Sequence, residues 1–114
     1  MKKITLIVLL LMLFISFGAI AHPPKKIKLN FNKETKMLTA DIIHKVKDVD
    51  THYISSITIY INGEEIITKA FENQSDKMDE KLEFVLDKVK SGDVIKFKAK
   101  CNKFGKKTAK YTVE

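Results

Sequence analysis

From residue 26 to the C-terminus, apolar and polar residues alternate with a period of two, and no stretch sustains the 3.6-residue repeat of an amphipathic helix. Ile27, Leu29 and Phe31 alternate with Lys28 and Asn30 ahead of a turn-like Asn32-Lys33-Glu34-Thr35. Met37 to His44 reads as a second strand and Tyr53 to Ile61 as a third, with Ile57, Ile59 and Ile61 on one face. Asn62-Gly63 is the strongest hairpin signal in the chain, because both residues tolerate positive φ. Glu64 to Phe71 returns as the fourth strand. A polar loop, Glu72 to Asp79, precedes Lys81 to Leu86, where Leu82, Phe84 and Leu86 alternate with charge. Ser91-Gly92-Asp93 turns the chain into Val94 to Cys101, and Thr108 to Val113 closes the domain after Gly105. Seven short strands with frequent turns predict an all-β fold, an immunoglobulin-like antiparallel β-sandwich.

The first 21 residues have a different pattern. Met1-Lys2-Lys3 is a short positive segment, Ile4 to Phe17 is apolar apart from Thr5 and Ser16, and Ala19-Ile20-Ala21 has the small-x-small spacing of a signal-peptidase site. This predicts a signal peptide over residues 1–21, a domain over 22–114, and a periplasmic or secreted protein. An uncleaved anchor is the alternative, since Ile4 to Ala21 is just long enough to span a bilayer. Once the leader is removed, nothing in the sequence calls for a membrane.

The chain has 114 residues, enough for one ordinary domain, and its 21 basic residues are all Lys. Without Arg there is no bidentate fork for guanine or phosphate, which argues against a sequence-reading nucleic-acid protein. Residues 22–114 hold 19 Lys against 14 acidic residues. The lysines sit at alternate strand positions, as in Lys96, Lys98 and Lys100, which a solvated strand face accounts for. A basic surface also speeds encounter with small anions. A single Cys rules out a disulfide framework, and in an oxidising compartment it has no partner within the chain.

The strong transition-metal donors are therefore His22, His44, His52 and Cys101. His44 ends the second strand, His52 stands before the third, and the short segment Lys45 to Thr51 keeps both near one rim. Cys101 ends the sixth strand. Each has an ordinary reading too: His44 a polar strand end, His52 a surface loop residue, His22 a frayed terminus before Pro23-Pro24. Cys101 shares parity with Ile95, Phe97 and Ala99 and could be a small core residue. A Cys–His nucleophile lacks an orienting Asn or Asp at a recognisable spacing.

His52-Tyr53-Ile54 and Cys101-Asn102-Lys103-Phe104-Gly105 resemble the H-Y-I and C-N-x-H-G motifs of superoxide reductases of the desulfoferrodoxin and neelaredoxin type. His22-Pro23-Pro24 is similar to the H-x-P opening of that family's iron domain, and His44 falls where the histidine of its H-P-M segment stands. The resemblance implies an immunoglobulin-like domain holding one mononuclear, non-haem iron, with His22, His44 and His52 as equatorial ligands and Cys101 as the axial one. It implies reduction of superoxide to hydrogen peroxide, with electrons from an unidentified donor protein. Phe104 occupies the position of the fourth histidine, Lys45 replaces a proline, and the stretch from His44 to His52 is two residues longer than in the family. Cleavage after Ala21 would give His22 a free α-amine beside its imidazole, a chelating pair that also suits copper. Lys45, Lys47 and Lys103 flank the ligands and could draw in an anion, or serve as ordinary solvated charges. A metal carrier or sensor without turnover, and a metal-free interaction module, are the readings from other functional classes.

Overall fold

The computed structural model describes residues 22–114, so the signal-peptide expectation lies outside the described residues. Seven strands make up the fold: β1 (Lys26–Asn32), β2 (Met37–Ile43), β3 (Ile54–Ile61), β4 (Glu64–Ala70), β5 (Asp79–Val85), β6 (Val94–Cys101) and β7 (Lys106–Thr112). They form two antiparallel sheets, β1-β2-β5 and β4-β3-β6-β7. Among the described residues there is no helix. This is the all-β sandwich that the alternation predicts. The fourth strand lies beside β3 in the larger sheet, whereas immunoglobulin constant-type domains pair it with the fifth strand.

Alternation determines what is buried. Ile27, Phe31, Leu38, Ala40 and Ile42 from the small sheet meet Ile57, Ile59, Ile95, Phe97 and Ala99 from the large one. The rings of Phe84 and Phe97 stand 6.3 Å apart across the two layers. Leu86, Val89 and Val113 close one end of this core. At Asn62-Gly63 both residues have positive φ, 51° and 85°, as a two-residue hairpin of matching twist requires. Asn62 also accepts from the Val94 amide through Oδ1 at 2.9 Å and donates through Nδ2 to Asp93 at 3.0 Å, tying the hairpin to the start of β6.

Strand ends differ from the sequence expectation: β2, β4, β5 and β7 stop one residue earlier, at Ile43, Ala70, Val85 and Thr112, and β3 starts one later, at Ile54. β5 begins at Asp79 and β7 at Lys106, each two residues earlier than alternation suggests, because polar residues there still find ladder partners in β2 and β6. The larger departure is a bulge in β3. Ile54 pairs with Cys101 and Ser56 with Lys100, leaving Ser55 as the extra residue. Strict alternation back from Ile57 would turn Ser55 and Tyr53 inward. The bulge resets the parity, so Ile54 is fully buried and His52, two residues before it, comes to the interior side.

Candidate metal centre

His44, His52 and Cys101 converge at the end of the sandwich away from Leu86 and Val113. His44 continues the inward series Leu38, Ala40, Ile42, and Cys101 continues Ile95, Phe97, Ala99; both are buried. Past the end of β2 the backbone stays paired: the His44 amide donates to the Met78 carbonyl at 3.1 Å and the Val46 amide to the Lys77 carbonyl at 2.7 Å. Half-buried His52 hangs from a turn in which its amide donates to the Asp48 carbonyl at 3.0 Å. The ligand atoms of the three residues all lie within 4.8 Å of one another. A metal ion could be held by this group.

Gln74 fixes the orientation of His44. Both protons of its amide are used, donated to the His44 carbonyl and to the Asp76 carbonyl at 2.8 Å each. Its Oε1 therefore faces the ring, and His44 Nδ1 donates to it at 2.8 Å. This assigns the tautomer: Nδ1 carries the hydrogen and Nε2 presents a lone pair. Outer-shell acceptors of this kind orient metal-binding imidazoles.

The inward nitrogens of the two rings are poorly served by the protein. His44 Nε2 stands 3.3 Å from the His22 carbonyl oxygen, so two acceptors face each other. His52 Nε2 is buried without any hydrogen-bond partner. An unpartnered imidazole nitrogen and a second one whose contact is a long 3.3 Å approach to a carbonyl, both beside a sulfur, are what a cation would satisfy, and the mixed imidazole–thiol set suits a transition metal rather than calcium or magnesium. Burial first, then the unfavourable company of His44, His22 and Lys103 for a second positive charge, holds the His52 pKa below its usual value, which favours its neutral, ligating form.

His22 stands over the trio without belonging to it. Its ring centroid lies 5.5 Å from that of His44 and 5.6 Å from that of His52, both edge-on, while the His44 and His52 rings are 4.8 Å apart. His22 is exposed, and its Nδ1 lies 3.1 Å from the Pro23 carbonyl. The α-amine chelate depends on a cut at residue 21, outside the described residues.

The loop after β6 holds this opening segment in place. Gly105 has φ 79°, and a Cβ built there would sit 2.7 Å from Pro23 Cβ, so only glycine lets the Pro23 ring close against the loop. The Cys101 amide donates to the Gly105 carbonyl at 3.0 Å. Asn102 clamps the loop to the approach of β3: its Oδ1 accepts from the Tyr53 amide at 2.9 Å and its Nδ2 donates to the Thr51 carbonyl at 3.0 Å. Phe104, where the fourth histidine of the resemblance would stand, is exposed, as are Lys45, Lys47 and Lys103.

Gln74 escaped sequence reasoning, since nothing separates it from the other polar residues of its loop. Asn102 and Gly105 stood in a quoted motif, but their structural roles did not. No family model matches the chain, and no curated protein does either.

Proposed function

We propose that the domain is an exported mononuclear iron-binding protein of superoxide-reductase type. The observation that supports it is the convergence of His44, His52 and Cys101 donor atoms within 4.8 Å, with His52 Nε2 buried and unpartnered. His44, His52 and Cys101 would hold the metal, with His22 above them as a further donor. Iron so held would supply one electron to superoxide, which with two protons gives hydrogen peroxide, and a donor protein would return the electron.

The residues of the chain carry the remaining tasks. Gln74 keeps the His44 lone pair aimed inward. Lys103, whose charge acts on His52, favours approach of a small anion. Cys101 would contribute a thiolate to a bound metal, a ligand that favours electron donation. A periplasmic or secreted location completes the reading.

Copper is the second reading, and one observation favours it. The tight group contains two imidazoles and one thiolate, the donor set of copper electron-transfer centres. A carrier or sensor without turnover would use the same residues.

Metal analysis of the protein expressed with its leader, followed by mixing the reduced form with superoxide, separates these. Iron at one ion per chain with fast stoichiometric oxidation supports the reductase. Bound metal without that oxidation supports the carrier, and a chain that retains no metal leaves the interaction module.

A further inference from the structure

The two outer faces of the sandwich carry different charge patterns. On the small sheet, the outward positions of β1, β2 and β5 include Lys26, Lys28 and Lys81 against Asp41, Asp79 and Glu83. Signs are interleaved, with Asp41 paired across the ladder to both Lys28 and Lys81. On the large sheet, the outward positions of β6 and β7 hold Lys96, Lys98, Lys100, Lys106 and Lys110, and those of β3 are Ser56, Thr58 and Tyr60. None of these three strands places an acidic side chain on this face; Glu65, on edge strand β4, stands opposite Tyr60.

This arrangement carries a folding cost. Lys96 is directly opposite Lys110, and Lys100 is directly opposite Lys106. Like charges at facing positions destabilise a sheet. None of the five takes part in an ion pair: among the described residues the one salt bridge is Lys81–Asp79, on the other face. The Lys96 and Lys98 ammonium groups instead lie 4.4 and 6.0 Å from the Tyr60 ring centroid. Five unneutralised cations on one sheet face form a surface complementary to a layer of negative charge.

We propose that the outer face of the β4-β3-β6-β7 sheet docks flat on a bilayer surface rich in anionic phospholipid headgroups. Lysine, a strongly hydrated point charge, suits diffuse attraction to many headgroups, whereas base or phosphate recognition favours the arginine fork. Single-stranded nucleic acid needs free aromatic platforms, and Tyr60 is already covered by lysine. The sequence expectation of no membrane contact after cleavage follows from the lack of a second apolar segment; a polybasic face needs none.

The test is co-sedimentation of residues 22–114, which contain the whole two-sheet core, with phosphatidylglycerol–phosphatidylcholine vesicles at low ionic strength. Binding should require the phosphatidylglycerol and disappear in high salt. The triple variant K98Q/K106Q/K110Q should bind about a hundredfold more weakly, at about fivefold per lysine removed near the surface. The control K26Q/K33Q/K88Q, with the same net charge but the face intact, should lose less than about tenfold. Urea unfolding of the face variant should be cooperative, with a midpoint no lower than the parent's, since repulsion is relieved. Equal losses in both triples, indifference to phosphatidylglycerol, or tighter binding to duplex DNA at the same salt would each overturn the proposal.

Discussion

At the scale of single residues, the site rests on one glutamine that no pattern announces. His44 and Cys101 were legible because each is the last inward position of an alternating strand, and His52 because it precedes one. Gln74 was not: it lies in a polar loop, and the His44 ring and carbonyl it binds are 30 residues away in sequence. Gln74→Leu removes the acceptor for His44 Nδ1 and leaves the His44 and Asp76 carbonyls unpaired. Stability should fall by about 1–3 kcal/mol in urea unfolding, and metal affinity by about 10–100-fold in a competitive chelator titration. Gln74→Glu, which keeps an acceptor, should recover part of that affinity.

The lowered His52 pKa gives a pH dependence of definite sign. Below its ordinary value of 6.5 the unfolded chain takes up a proton that the folded chain resists. Stability of the metal-free protein should therefore decline as pH falls from 6.5 toward the lowered folded value. Urea midpoints at about pH 7 and about pH 5.5 check this, and His52→Gln should flatten the difference.

At the scale of strands and loops, parity carried most of the sequence reading, and the Ser55 bulge marks its limit. A bulge leaves the composition of a strand unchanged, so its register with β6 had to be seen. The close approach of Pro23 to Gly105 is likewise a contact between distant segments. Gly105→Ala would force its Cβ against Pro23 at positive φ; the expected loss exceeds about 1 kcal/mol. Metal affinity should also fall if His22 contributes, and calorimetric titration of the variant reads both the binding constant and the heat.

On the small sheet, Asp41 hydrogen-bonds Asp79 and raises its pKa above the usual carboxylate value, with burial and the Asp41 charge adding to the effect. A raised folded pKa means the folded chain holds the extra proton, so the pair's contribution is full in acid and is lost as pH rises through that value. Asp41→Asn should accordingly raise the unfolding midpoint at neutral pH and give little gain near about pH 3.

For the molecule as a whole, the seven strands, their turns and the two-layer core were readable from the sequence, because burial on one side forces a period of two. The partition into sheets was not, since β4 could pair with β3 or β5 without changing its pattern. The lysine alternation was visible, but the facing of Lys96 with Lys110 and Lys100 with Lys106 appears only when β6 and β7 are paired. Sandwich folds host many activities, so function here stands on the cluster at one end and not on the architecture.

The direct measurement of that cluster is metal content together with the electronic spectrum of residues 22–114, parent against Cys101→Ser. The account predicts one transition-metal ion per chain and a sulfur-to-metal charge-transfer band in the oxidised parent, with the band absent from the serine variant. A parent that retains no ion, or a band that survives loss of the sulfur, would contradict it.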